Sequence, residues 1–240
     1  MSNSIFRIFD YCLPIAQWLV SPACLLCGDG ATRDGLCAGC RGNLPALPVA
    51  HCPACAIPFA SGGLCGRCLA RPPAFDRVVA AFMYQYPVSE LVQSLKYRGN
   101  LACARPLAAG LADALDQEPY PDVIVPMPLA PARLADRGFN QALELARCVA
   151  AEFGQPLAPH ACRRLDDRTP QATLPWKRRA ANVRGVFACD LDVSGKSVAV
   201  VDDVLTTGAT LNELAVTLKR RGAREVVGWI VARTPAPGDA

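Results

Sequence analysis

Two stretches of this sequence combine residue types and spacings that can do chemistry. The first is a cysteine array, Cys24-x2-Cys27-x9-Cys37-x2-Cys40 followed by Cys52-x2-Cys55-x9-Cys65-x2-Cys68, which repeats with a period of 28 residues. Each C-x2-C turn presents two sulfurs to one metal, and two such turns complete a tetrahedral thiolate shell. Every ligand position is a cysteine, so no position stays open for a reacting water, and the expected metal is structural zinc, two ions per chain. The spacing leaves the pairing of the turns open, consecutive or interleaved. His51, beside Cys52, reads as a surface neighbour rather than a ligand.

The second stretch is VAVVDDVLTTGAT, residues 198 to 210. An apolar strand that ends at two acids and turns through small and hydroxyl residues into a helix exposes several backbone N–H groups at a helix N-terminus, a cradle for one phosphate. Thr206, Thr207 and Thr210 add hydroxyls around Gly208 and Ala209. Asp202 and Asp203 cannot bind the phosphate themselves, so they suit a ribose diol or a divalent cation beside it. A phosphorylated sugar satisfies both halves. The acids are expected to be exposed at the strand end.

The elements that position these residues follow from periodicity. Strands are expected at 77–84, 122–126, 197–201 and 225–232, and helices near 90–96, 101–115, 140–153 and 211–221, the last closed by Gly222. Near-continuous apolar strands alternating with helices predict a parallel sheet covered on both faces. The stretch from Cys162 to Arg184 follows neither period and reads as a long loop. With residues 163–184 holding seven basic side chains against Asp166 and Asp167, it is an attractor for phosphates.

Composition bounds the class. At 240 residues with 52% hydrophobic and 19% charged side chains, the chain suits a folded α/β domain plus a small module and excludes a disordered polyelectrolyte. Thirteen cysteines, an odd number, come without a signal segment, which favours metal thiolates in a reducing, cytoplasmic setting over a secreted disulfide scaffold. The expected organisation is an amphipathic lead-in over 1–23, a double zinc-ribbon module over 24–70, the α/β domain over 71–234 and a disordered tail over 235–240.

The two acids, the short spacer and TTGAT together resemble the ribose-phosphate loop of the type I phosphoribosyltransferases. The double ribbon, SLKYRGN (94–100), PMPLAPARLADRGFNQALELA (126–146), Gln171-x2-Leu174 and RRAANVRGVF (178–187) narrow the resemblance to the ComF family of competence and DNA-utilisation proteins. It runs from residue 24 to about 232. The resemblance implies that Asp202 and Asp203 contact the ribose hydroxyls of phosphoribosyl pyrophosphate, with the 5′-phosphate against Thr206, Thr207, Gly208, Ala209 and Thr210. It implies that the pyrophosphate arrives with Mg²⁺ near Pro126, Met127 and Pro128. Lys96, Arg98, Arg133 and Arg137 supply positive charge there, and a basic loop across Arg168–Arg179, including Arg178 and Arg179, closes over the site. The enzymatic chemistry of that fold is pentosyl transfer. Two readings stay open at this point: a ligand-binding or transferring protein linked to DNA uptake, and a single-stranded DNA-handling protein without turnover that works with uptake or recombination proteins through its ribbons and basic segment.

Overall fold

The computed structural model describes residues 23–30, 34–59, 62–165 and 185–236. The expected lead-in up to residue 22, the basic segment 166–184 with Arg178 and Arg179, and the tail from 237 lie outside the described residues. The chain divides into two compact units, Met1–Asn43 and Leu44–Ala240.

The first unit holds Cys24, Cys27, Cys37 and Cys40 around a turn in which Gly28 N–H donates to Cys24 O at 2.9 Å. Helix α1 (Ala38–Gly42) begins at Cys37, whose sulfur accepts from the Cys40 N–H at 3.4 Å. The second unit repeats the device and then builds the sheet. Ala56 N–H donates to Cys52 O at 2.8 Å, and Cys65 precedes helix α2 (Gly66–Ala70).

Strands β1 (Arg77–Met83), β2 (Val123–Pro126), β5 (Ser197–Leu205) and β6 (Glu225–Arg233) form a four-stranded sheet in the order β1-β6-β5-β2, with every neighbouring pair parallel. Helices α3 (Val88–Arg98), α4 (Ala104–Leu115), α5 (Pro131–Arg137), α6 (Gln141–Phe153) and α7 (Ala209–Arg220) make the connections, and β3 (Cys162–Arg164) pairs antiparallel with β4 (Phe187–Cys189). The β3 strand falls where a loop was expected; three residues are too few to register as a period.

Helix boundaries follow local rules. Asn140 caps α6 by accepting from the Ala142 N–H at 3.0 Å, and Gly154, with φ 63°, ends the helix in a conformation that other residues adopt only at a cost. On one face of the sheet Val78, Ala80, Val198, Val200, Val226 and Ile230 share a core with Leu211, Leu214 and Leu218 of α7. Trp229, of opposite parity, meets Phe153 of α6 with ring centroids 6.3 Å apart, so helices cover both faces as expected. Cys52, Cys55, Cys65 and Cys68 belong to the same core as α7, so the second cysteine set is packed into the α/β unit.

One strand runs further than expected. β5 continues through Asp202 and Asp203 to Leu205, because β6 goes on pairing with it: Asp202 sits opposite Ile230, Val204 opposite Ala232 and Leu205 opposite Arg233. The carboxylates lie within the strand, not beyond it.

Gly110 shows how tightly α4 is seated, since a methyl group there would overlap the Phe82 ring. Gly110→Ala would gain about 1 kcal/mol of helix propensity on an exposed helix. Here overpacking reverses the sign, and the expected result is a net destabilisation of about 1 to 3 kcal/mol in urea unfolding at unchanged m-value.

Candidate functional site

The sulfurs of Cys24, Cys27, Cys37 and Cys40, and those of Cys52, Cys55, Cys65 and Cys68, form two groups, each with all ligand atoms within 4.8 Å of one another. The pairing is therefore consecutive. Cys27 and Cys37 sulfurs are 3.7 Å apart, and Cys55 and Cys65 sulfurs 3.8 Å apart. A tetrahedral zinc with bonds of about 2.3 Å requires sulfur edges of about 3.8 Å, so both groups fit the ion. Ionisation of bare thiols would be uneven. Burial opposes ionisation of Cys24, yet N–H donation from Cys27, Cys37 and Leu26 brings it down to about 6. Interaction with the Cys27 and Cys37 sulfurs pushes Cys40 up to about 12. A divalent cation is what lets all four sulfurs carry charge together. The donor sets are those of two structural zinc ribbons.

At the far end of β5 the two acids have different surroundings. Asp203 is 3% exposed, and Lys96 Nζ from α3 lies 2.7 Å from its Oδ2. The expectation that both acids are exposed holds for neither: Asp203 is buried and Asp202 half-buried. Burial alone would make Lys96 easier to deprotonate, but the charges of Asp203 and then Asp202 hold it above the ordinary lysine range. Asp202 is lifted well above the carboxylate range by burial and by the Asp203 charge, with Lys96 opposing. Its Oδ1 accepts from the Asp203 N–H at 2.9 Å, which fixes the side chain across the strand.

The chain then turns through Thr206 and Thr207 to Gly208, whose φ of 77° places it in the left-handed region ahead of α7. Thr207 Oγ1 accepts from the Ala209 N–H at 3.1 Å. Beyond β2, Pro126, Met127 and Pro128 are buried, so only their backbone can face a ligand. Met127 N–H donates to Val201 O at 2.8 Å, and Asn140 Nδ2 donates to Met127 O at 3.0 Å, which ties this loop to β5 and to the start of α6.

Lys96, Tyr97, Gly99, Arg133, Asp136, Arg137 and Phe139 line a cleft of about 460 Å³. Three of the basic residues singled out from sequence thus converge. Arg98 does not line it; it is exposed, 3.8 Å from Glu90. Arg137 donates to Gln141 Oε1 and lies 5.7 Å from the Tyr97 ring centroid, a cation–π contact. Sequence reasoning missed Arg233, which is 0% exposed at the end of β6 and donates to the carbonyls of Leu205 and Thr206 at 2.9 and 2.7 Å. The available signal was a charged residue closing an otherwise apolar strand.

These features define a phosphoribosyltransferase-type α/β protein carrying two zinc ribbons, and comparison with known proteins agrees. The Double zinc ribbon domain matches residues 15–69 and the Phosphoribosyl transferase domain residues 142–237. DNA utilization protein YhgH of Salmonella typhi is 36% identical, over 83% of this chain and 91% of its own length. Competence protein F of Haemophilus influenzae is 32% identical, over 84% and 91%. A purine phosphoribosyltransferase from Pyrococcus horikoshii superposes with a TM-score of 0.34 at 22% identity, over 57% of this chain and 76% of its own. The chain belongs to the ComF family of competence and DNA-utilization proteins.

Removing one member of the Lys96–Asp203 pair leaves a charge stranded in a largely desolvated place. Asp203→Ala is expected to cost on the order of 3 kcal/mol of stability, while Asp203→Ala combined with Lys96→Met costs clearly less than the sum of the single changes. Denaturant unfolding of the four proteins in that cycle checks it.

Proposed function

We propose that the chain binds phosphoribosyl pyrophosphate together with Mg²⁺ at the end of β5. The observation that carries this reading is the continuous run from two strand acids through a left-handed Gly208 to the N-terminus of α7. Backbone N–H groups at 207–210 take the 5′-phosphate. Asp202 and Asp203 accept from the ribose hydroxyls, and Lys96 Nζ, 2.7 Å from Asp203 Oδ2, holds that carboxylate in place. Arg133 and Arg137, on the helix that follows the Pro126–Pro128 loop, receive the pyrophosphate. Mg²⁺ supplies charge neutralisation for the diphosphate, and carboxylate oxygens with substrate phosphates are the donors it prefers. Where an acceptor is present, the same arrangement supports pentosyl transfer, since stabilising the departing pyrophosphate and excluding water is most of what that reaction needs. Cysteine-only metal sites support a reducing, cytoplasmic setting for this activity.

Calorimetric titration of phosphoribosyl pyrophosphate with Mg²⁺ tests the reading. Gly208→Val is expected to weaken binding at least tenfold, because a β-branched residue at φ 77° strains the turn. Affinity should also fall on acidification, and at a pH well above about 4, the ordinary carboxylate value. The sign follows from Asp202: its raised pKa means the proton arrives early, and a protonated carboxyl no longer accepts both ribose hydroxyls. In Asp202→Asn that pH dependence should flatten. Equal affinity in parent and both variants places the ligand elsewhere.

A second reading, single-stranded DNA handling, is favoured by the exposed Tyr97 ring beside Arg137 in the cleft and by the names of the relatives. Base stacking on an aromatic ring with nearby cations is tolerant of sequence. Reversing Arg178 and Arg179 to Glu is expected to weaken single-stranded DNA binding, with a shallower salt dependence. Unchanged affinity at low and moderate salt would remove that segment from the surface.

A further inference from the structure

Arg233 sits between two parts of the molecule that the proposed function treats separately. Its guanidinium is fully buried. Nε donates to Cys55 O at 2.9 Å, on the second cysteine turn. Nη1 is shared among Leu205 O at 2.9 Å, Thr206 O at 2.7 Å, Thr234 O at 2.9 Å and Thr234 Oγ1 at 3.1 Å. Nη2 is buried without a hydrogen-bond partner among the described residues.

A guanidinium is planar and its donors point in fixed directions. The backbone of the second metal cluster and the backbone that opens the 206–208 turn are therefore held at opposite sides of one rigid group. Movement of Cys55 shifts Nε, and the fork carries the shift to Leu205 and Thr206. The charges are complementary as well. Four thiolates around Zn²⁺ would carry a net charge of −2, opposite in sign to the guanidinium that donates to Cys55 O.

We propose that Arg233 is a positioning residue through which the second zinc centre sets the conformation of the ligand loop, so that Zn²⁺ at Cys52, Cys55, Cys65 and Cys68 and phosphoribosyl pyrophosphate at 206–210 bind cooperatively. The identity of the ligand rests on the function proposed above; the link from the zinc centre to the loop does not. Coupling of this kind is reciprocal: whatever factor zinc adds to ligand affinity, ligand adds to zinc retention. A purely space-filling Arg233 would leave the two events independent.

The experiment uses the full chain in a Cys27→Ser background, so that zinc release reports the second cluster. Release to a chromogenic chelator is followed with and without saturating phosphoribosyl pyrophosphate and Mg²⁺. The ligand is expected to slow release about fivefold or more, within the range of ordinary allosteric coupling. Arg233→Lys keeps the charge but loses the fork, and should retain zinc while losing most of that protection. A ligand-independent arm measures amide hydrogen exchange at 205–208 in zinc-loaded and zinc-depleted protein without the Arg233 change; exchange there should quicken on depletion. Ligand binding with unaltered zinc release, or 205–208 exchange indifferent to zinc, overturns the coupling. If phosphoribosyl pyrophosphate does not bind the zinc-loaded protein at all, the functional reading fails, and the exchange arm still decides whether the zinc centre governs the loop. That arm also decides the matter should Arg233→Lys fail to fold.

Discussion

In a parallel sheet all strands release the chain at the same edge, and the organisation of this site depends on that constraint. β1, β6, β5 and β2 end at Met83, Arg233, Leu205 and Pro126. Whatever follows or closes those strands is gathered at one rim: the buried arginine, the acid pair with its glycine turn, and the Pro126–Pro128 loop. Crossover helices are obligatory for such a sheet, and the sequence uses them twice over. α3 carries Lys96 back to Asp203, and α6 begins at Asn140, whose amide both caps the helix and holds Met127 O. Positioning the loops and closing the sheet are thus the same structural task.

The rim is also where the fold keeps charge away from water. Asp203 with Lys96, and Arg233 with four carbonyl contacts, are costly placements in comparison with an apolar core. The expense is offset by the Lys96–Asp203 pairing and by the hydrogen bonds of Arg233 Nε and Nη1, and the return is rigidity around a turn that must receive an anion. In the first unit, by contrast, Cys27 is exposed and, among the described residues, the thiolate set stands without an apolar core of comparable size. The second cysteine set shares its core with the sheet and α7, so that ribbon is supported by packing as well as by its donor set.

Much of this was legible in the sequence. The apolar runs expected at 77–84, 122–126, 197–201 and 225–232 declare strands on both-sided burial, and Gly222 marks a helix end through chemistry that is local. The cysteine spacing identifies the metal type because ligand geometry is local too. The pairing of the four turns was not legible, since consecutive and interleaved arrangements use identical spacings. The end of β5 was misjudged because two adjacent carboxylates read as a strand stop; only the partner strand and a lysine more than a hundred positions earlier make them tolerable inside one. Arg233 was missed for the same reason. Apart from the Thr234 hydroxyl, its acceptors are backbone carbonyls, from residues 55, 205, 206 and 234, and carbonyls leave no mark on a sequence.

The strand order has a consequence for how the chain comes into being. β6 is the last strand to be synthesised, yet it lies between β1 and β5, which do not touch each other. As the polypeptide emerges, β1 stands for well over a hundred residues with its pairing edge unfilled, and β5 can pair only with β2. Open edges of this kind invite association with other nascent strands. The sheet therefore closes only after residue 233 has left the ribosome, with β6 as the keystone between strands made earlier.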